Sequence, residues 1–268
     1  MSTIQEVAKR AGVSAGTVSR YLNGYKLKQR NAHAIERAIA ELGYRPNLTA
    51  RSLRSSRSMT VGLLINNMQN NLAAQVVAQV ESEMELHDYT IMLSGFREDR
   101  SAFERQLQTL VARGVDGLIL FEVPWSVDTG SDPVRALDIP VVALNMPYDS
   151  PNVDSILPMN RRSSFEVASR MIALGHERIG VIAAPLREYV SRERLGGVLD
   201  AMAQAGLPSG NAVVTYGDYS PGSGRARMGE LLDAGLDCVF VCNFKMGQGA
   251  LQAVSERGRA IGRDLSYA

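Results

Sequence analysis

The sequence is poor in the residues from which catalytic and metal centres are usually built. Its 268 residues include two cysteines and three histidines. His33, His87 and His176 lie far apart, and none has metal-ligand spacing with a cysteine or another histidine. No G-x-S-x-G elbow and no Walker loop occurs. GQGALQ (Gly247–Gln252) begins like a dinucleotide fingerprint but lacks its third glycine and the context of a first strand–helix unit. These absences argue against an enzyme, and neither a cofactor nor a metal is expected. The two cysteines fall in CVFVC, at Cys238 and Cys242. At i and i+4 of a strand they point the same way but are too far apart to bridge. They read as buried thiols in a reducing compartment. No apolar run approaches the roughly eighteen residues of a membrane span, so no membrane partner is expected. The opening MSTIQEVAKRAGVS lacks the apolar core of a secretory leader, and the expected location is the cytoplasm.

What is present is an asymmetry of charge. Residues 1–60 carry 11 Lys/Arg against 3 Asp/Glu, while residues 61–268 carry 18 against 25. A small basic head on an acidic body fits a head that meets a polyanion and a body that does not.

The head reads as three short helices. In the first, about Ile4–Ala11, Thr3 and Glu6 have the spacing of a capping box, and Ile4, Val7, Ala8 and Ala11 share one face. Gly12 breaks it. Ser14 is suited to cap the second, about Ala15–Leu22, with Val18 and Leu22 inward and Thr17, Ser19 and Arg20 outward. Asn23-Gly24 ends it. The third, about Asn31–Leu42, carries Ile35, Ala38, Ile39 and Leu42 on one stripe, with Asn31 as the cap, and stops at Gly43 and Pro46. Two short helices joined by a glycine turn and braced by a third make a helix-turn-helix, whose second helix enters the major groove. Arg20 is the one long donor on that helix suited to a bidentate contact with guanine; the alternative is contact with phosphate alone.

The segment IQEVAKRAGVSAGTVSRYLNG, followed by AIERAIAELGYRPNLTARSLRSSRS, closely resembles the head of lactose-repressor-type (LacI family) transcription regulators. The resemblance implies a dimer reading a roughly palindromic operator in double-stranded DNA. It puts base-reading positions on Ala15, Gly16 and Arg20. It puts phosphate-contacting and positioning roles on Thr3, Ile4, Ser14, Thr17, Ser19 and Asn23. It also implies a hinge over Asn47–Ser55 that becomes helical on DNA. Leu53 matches the leucine that pries open a central base step, with Ala50 beside it and Asn47 as a cap. An apolar wedge costs unstacking energy and gains a bent duplex with more contact. Arg51, Arg54 and Arg57 would then hold flanking phosphates. The alternative for Leu53 is packing on the core.

Two departures stand out. Gly16 occupies a base-reading position with no side chain to read with, at about 1 kcal/mol of helix propensity relative to alanine. The stretch YKLKQRN (Tyr25–Asn31) is unusually basic and offers Lys26, Lys28 and Arg30 as further phosphate contacts.

From Thr60 the pattern becomes strand–helix alternation. Strand-like runs occur at Thr60–Ile65, Tyr89–Leu93, Val115–Phe121, Pro140–Asn145, Arg178–Ala184, Ala212–Tyr216 and Cys238–Cys242. Helical stretches such as Leu72–His87 and Ala102–Arg113 lie between them. Continuous apolar strands alternating with helices predict parallel sheets covered on both faces, here in two α/β lobes, with ligands expected at the carboxyl ends of the strands. The fold expected is an all-α helix-turn-helix head (1–46), a hinge (47–58) and a two-lobed α/β core (59–268), with lobes of about 59–158 and 159–268.

Met171–Met202, with MIALGHERIGVIAAP and SRERLGGVLDAM, resembles the family core, which is shaped like a periplasmic sugar-binding protein. The resemblance implies that Arg194 points into the cleft toward a small-molecule effector, a sugar or sugar derivative, with Ser191 completing its motif. The alternative for Arg194 is a surface ion pair with Glu193 or Glu188. Tyr219 aligns with an aromatic that stacks on effectors, or is a core or rim tyrosine. Asn145 ends a strand where the family often places Asp. Asn243 aligns with the first member of an Asn-Asp pair whose second member is Phe244 here, followed by Lys245. Asn70 and Asn71 sit where the first strand's loop faces the cleft. Arg161–Arg162 replaces an acidic residue, which suggests a less polyol-like or more acidic effector. The resemblance further implies that chain beyond AIGRDLSYA completes the second lobe, and that the 268 residues alone would fold poorly or respond abnormally. Two other classes fit the sequence less well. A free periplasmic-type binding protein is disfavoured by the basic head. An architectural DNA binder would coat DNA uniformly.

Overall fold

The computed structural model describes residues 2–45, 57–68, 71–123 and 132–268. The chain divides into two compact units, Met1–Met59 and Thr60–Ala268.

The first unit contains α1 (Ile4–Ala11), α2 (Ala15–Leu22) and α3 (Gln29–Leu42). Thr3 closes a capping box on α1, accepting from the Glu6 backbone N–H at 3.3 Å and donating its own to the Glu6 carboxylate at 2.7 Å. Gly12, at φ 68°, takes the left-handed turn that ends α1 and that a side chain would resist. Ser14 caps α2 by accepting from the Thr17 N–H at 3.2 Å. The helical stripes meet in a small core of Val7, Ala8, Val18, Ile35 and Ala38. Tyr21 donates to Glu36 at 2.8 Å and ties α2 to α3, and Arg10 donates to Glu41 at 2.5 Å and ties α1 to α3.

The start of α3 corrects one expectation. The helix opens at Gln29, so Lys28 stands at its N-cap with no side-chain hydrogen bond, and Asn31 lies inside the first turn. Propagation by backbone bonds from Asn31 and Ala32 to the Lys28 carbonyl (2.9 and 3.1 Å) outweighs the missing cap. The hinge candidates Asn47, Ala50, Arg51, Leu53 and Arg54 lie outside the described residues.

The second unit holds two parallel sheets. Among the described residues the first lobe runs β1 (Thr60–Ile65), α4 (Asn71–Glu85), β2 (Thr90–Gly95), α5 (Arg100–Ala112), β3 (Gly117–Phe121), β4 (Val141–Leu144) and β5 (Val153–Ile156). Its strand order is β2-β1-β3-β4-β5. The second lobe runs α6 (Asn160–Ala173), β6 (Ile179–Ala183), α7 (Tyr189–Gln204), β7 (Ala212–Tyr216), α8 (Pro221–Asp233), β8 (Cys238–Val241), α9 (Phe244–Glu256) and β9 (Ser266–Tyr267), in the order β7-β6-β8-β9.

Both faces of each sheet are covered, which is why the strands read as unbroken apolar runs. In β1, Leu64 packs with α5 residues Phe103, Leu107 and Leu110, while Leu63 and Ile65 pack with Ala73 of α4. In the second lobe, Ile179 and Val181 face α6 and α7, while Ile182 faces α8 and α9. Cys238 and Cys242 both fall on the α6–α7 side, and burial pushes each thiol up to about 12. The close seating of α7 on α6 requires Gly197, where a Cβ would sit 2.1 Å from the Arg161 carbonyl oxygen.

Candidate DNA-reading head and ligand cleft

The second helix of the head is held by its ends. Besides capping α2, the Ser14 hydroxyl lies 2.9 Å from that of Thr17. Asn23 donates its amide to the Ser19 carbonyl at 2.9 Å. Gly16, Arg20 and Asn23 are exposed, and Thr17 and Ser19 half-exposed. Arg20 makes no ion pair or side-chain hydrogen bond to a described residue, so its guanidinium is available to an outside acceptor. Ile4 and Ala15, by contrast, pack partly on the head core. Thr3 is exposed but engaged with Glu6. Tyr25, Lys26, Lys28 and Arg30 are all exposed.

In the second unit a cavity of about 600 Å³ opens between the two sheets. It lies at the carboxyl ends of the strands, where each strand order reverses direction: between β1 and β3 in the first lobe, between β6 and β8 in the second. Loops leaving neighbouring strands diverge there, so a crevice forms without any special sequence. Asn66, directly after β1, and Glu122, directly after β3, line it from the first lobe. Glu188, Arg194 and Asn243 line it from the second.

Arg194 is fixed from two sides. Its Nε donates to Asn160 Oδ1 at 2.9 Å and its Nη1 to the Cys242 carbonyl at 2.6 Å. Neither of the acids considered as its ion-pair partner holds it: Glu193 lies 3.8 Å from Arg161, and Glu188 accepts from the Tyr219 hydroxyl. Burial raises the Tyr219 hydroxyl far above its ordinary value, and the bond to Glu188 adds to this. Burial also raises the Glu188 carboxyl, opposed by the Tyr219 bond and Arg187 and reinforced by the like charge of Glu98. Asn145 donates to Glu122 across the cavity floor at 2.8 Å. Asn243 spends its Oδ1 as the cap of α9, accepting from the N–H groups of Lys245 (2.9 Å) and Met246 (3.2 Å).

The structure therefore brings Arg194, Tyr219, Asn145 and Asn243 into one cavity. It does not bring Ser191 there: that hydroxyl is buried and donates to the Ala184 carbonyl at 2.6 Å, bracing the turn between β6 and α7. Asn71 begins α4, and its side chain, like the whole of Asn70, lies outside the described residues; Asn66 and Asn67 face the cavity from the first strand's loop. Arg161 and Arg162 are likewise elsewhere, paired with Asp200 at 2.6 Å and Glu166 at 2.8 Å. The suggestion of an acidic effector drawn from them has no support in the cavity. Its lining holds Glu98, Glu122, Glu188 and Asp218 against Arg194 and Lys245.

Reading the sequence missed Glu98, Glu122 and Asp218, and took Glu188 only as a possible ion-pair partner of Arg194. The available signal was position: Glu122 follows β3 as Asn66 follows β1, at the end of the sheet where ligands sit. A second signal exists only in the backbone. Of seven non-glycine residues at positive φ among the described residues, Glu98 (60°), Glu122 (55°), Asn145 (64°) and Tyr219 (69°) line this one cavity. Such conformations cost about 1–3 kcal/mol each and persist where surrounding structure over-determines them, as at binding sites.

Two family models match the chain. Residues 3–47 match the bacterial regulatory proteins of the lacI family, and residues 58–265 match the periplasmic binding proteins and sugar binding domain of the LacI family. The chain belongs to the LacI family. This LacI-family member is 30% identical to the HTH-type transcriptional repressor PurR of Actinobacillus pleuropneumoniae, over 99% of this chain and 80% of that protein. It is 29% identical to the ribose operon repressor of Haemophilus influenzae, with the same coverage. Its structure is similar to that of the Lac repressor dimer bound to operator and the anti-inducer ONPF, with a TM-score of 0.85 and 28% identity over 99% of this chain and 81% of that one. It is similar also to a complex of the transcriptional regulator CelR with cellobiose, with a TM-score of 0.70 and 30% identity over 100% of this chain and 82% of that one. The fold is that of the Lac repressor, a helical head with a periplasmic-binding-protein-like core, and the protein is a DNA-binding transcription regulator.

Proposed function

We propose that this LacI-family chain is a repressor that binds a near-palindromic operator as a homodimer in the cytoplasm. In this reading a sugar or sugar derivative, held between the lobes of the core, sets its DNA affinity. The observation that carries the reading is the combination of a capped helix-turn-helix head and a cavity of about 600 Å³ at the carboxyl ends of two parallel sheets. The Lac repressor structure, a dimer on operator, supports the dimer, and the CelR–cellobiose complex supports a saccharide ligand. The head is assigned to residues 1–46, the hinge to 47–58 and the core to 59–268.

In the head, Arg20 reads a base, while Ala15 and Gly16 admit the backbone close to the groove floor. Ser14, Thr17, Ser19 and Asn23 set the register on phosphates, with Thr3 and Ile4 at the edge of the contact. The hinge residues Asn47, Ala50, Arg51, Leu53 and Arg54 act in the minor groove. In the core, Arg194, Asn145, Asn243 and Tyr219 meet the ligand, with Ser191 positioning the turn that carries Arg194 and Asn71 at the first-lobe wall. The ligand acts through its different affinity for two lobe arrangements. No step of this scheme requires catalysis.

Selection from a random double-stranded DNA library tests it. The chain enriches one inverted repeat, and Arg20→Ala relaxes the preference at one base pair of each half-site, at about 1–3 kcal/mol. Uniform coating of DNA with no enriched repeat overturns the reading in favour of an architectural binder.

A further inference from the structure

Two loops meet across the cleft, one from each lobe. The first lobe sends the turn between β2 and α5, and the second lobe the turn between β6 and α7. Arg187 of the second donates its Nη2 to Glu98 Oε2 of the first at 3.2 Å, so an ion pair joins the lobes directly. Glu98 lines the cavity, and both side chains are more than half exposed, which puts the pair at the mouth.

Both ends of this pair spring from fixed backbone. Arg97 and Glu98 are consecutive non-glycine residues in the left-handed region, at φ 50° and 60°. Such conformations are costly and persist only where neighbours impose them. Asn66 imposes this one, accepting the Arg97 N–H on its carbonyl at 2.8 Å and the Glu98 N–H on its Oδ1 at 2.7 Å. Asp99 anchors the far side by capping α5, accepting from the N–H groups of Ser101 (2.8 Å) and Ala102 (3.1 Å). On the second lobe, Arg192 Nη1 donates to the Leu186 and Arg187 carbonyls, each at 2.9 Å, and Ser191 donates to the Ala184 carbonyl. Less conformational entropy is therefore lost when the two charges pair.

Ion pairs such as Arg161–Asp200 and Arg257–Asp233 stay within one lobe and bear on its folding. An exposed pair shifts an equilibrium by about 1.4- to 5-fold. Beside folding that is small. Between two lobe arrangements of similar free energy it changes the populations outright. The pair also connects with the ligand wall, because Arg187 lies 3.9 Å from Glu188, which accepts from the Tyr219 hydroxyl in the cavity.

We propose that Glu98 and Arg187 form a latch that biases the two lobes toward the arrangement seen here, and through it sets the operator affinity of the chain before ligand binds. The latch rests on the geometry of the core. Its effect on DNA rests on the repressor reading proposed above.

The test follows the lobes themselves in the full chain without added ligand. Spin labels at Gln108→Cys on α5 and Gln204→Cys on α7, both exposed and one in each lobe, report the interlobe distance by double electron–electron resonance. Cys238 and Cys242 are buried and stay unlabelled, and an excess of unlabelled chain removes distances between copies. Glu98→Lys and Arg187→Glu each lower the parent's dominant distance about twofold or more relative to the rest of the distribution, as does raising salt to about 1 M. The two substitutions together restore the pair with its sign exchanged and return the distribution to that of the parent. Single variants with the parent distribution, or a combined variant that keeps the distribution of the singles, overturn the latch. The Kd for the enriched inverted repeat moves about twofold or more in both single variants, in the same direction, and returns in the combined one. A Kd unmoved while the distances move overturns the link to DNA. Failure of the repressor reading itself shows separately, as the absence of any enriched repeat.

Discussion

Replacing Arg194 by alanine removes a guanidinium that ties three parts of the second lobe together. Its Nε reaches Asn160 at the start of α6, immediately after the crossover between lobes, and its Nη1 reaches the Cys242 carbonyl directly after β8. Asn160 is 7% exposed, so the loss leaves its Oδ1 without a donor in a nearly dry setting. A hydrogen bond to a charged group contributes about 1.5–3 kcal/mol, and a stranded buried acceptor costs about 1–3 kcal/mol. Water entering the cavity replaces part of the contact with Cys242, so the expected net loss is about 2–4 kcal/mol. For a unit of this size 1 kcal/mol shifts Tm by about 2–4 °C, which puts the ligand-free core about 4–16 °C lower. Arg194→Lys keeps the charge but not the fork, so it lowers Tm by about half as much. Circular dichroism melts of the full chain without ligand measure this, and calorimetry with a bound sugar then separates lost affinity from lost stability. An Arg194→Ala core melting within 2 °C of the parent would refute the reasoning, because the fork would then contribute nothing to the apo lobe.

Four further outcomes follow from the same structure. Gly197→Ala places a methyl 2.1 Å from the Arg161 carbonyl and 2.9 Å from the Phe165 N–H nitrogen, both backbone, and destabilises the core by about 3 kcal/mol or more. Gly196→Ala meets only the movable Arg161 guanidinium at 2.6 Å and changes stability by less than about 1 kcal/mol, as denaturant midpoints will record. Asp218, whose carboxyl is held down to about 2 by hydrogen bonds from Ser220 and Ser223, contributes stability that is present above the ordinary carboxylate pKa and lost as pH falls from about 4 toward 2. Asp218→Asn flattens the acid limb of stability in that window, and an unchanged limb rejects the contribution. Cys238 and Cys242 resist iodoacetamide at pH 8 in the native chain and react at the rate of global unfolding; rapid native labelling of either contradicts their burial.

The head was the most legible part of the chain because its signals are local. Thr3 with Glu6, Gly12, Ser14 and the spacing of Val7 to Ile35 each act within a turn or two of helix, and the structure agrees with them residue by residue. The start of α3 failed because Asn31 is a better cap by type than Lys28, but position in the helix is set by packing of Ile35 and Ala38, not by the cap. The long strands were legible because burial on both faces leaves an unbroken apolar run. β5 (Val153–Ile156) was not, since only Val153 is buried and the other three residues, at the sheet edge, are exposed. In the cleft, Arg194, Tyr219, Asn145 and Asn243 were found through family motifs. Ser191 shows the limit of that route, because a motif does not say which hydroxyls are spent on the backbone. Glu122 and Glu98 were invisible to it, since their place in one cavity with Glu188 depends on how two sheets face each other, a relation no local pattern encodes.

The measurement that bears most directly on ligand-controlled operator binding is the Kd of the full chain for its enriched inverted repeat, by fluorescence anisotropy at fixed salt. It is made with and without a saturating sugar that raises the Tm of the core, beside a scrambled duplex. Specific binding tightens at least a thousandfold over the scrambled duplex, and the sugar changes the specific Kd by about 5- to 150-fold. Equal affinity for the two duplexes, or a specific Kd unmoved by a sugar that saturates the cleft, would contradict it.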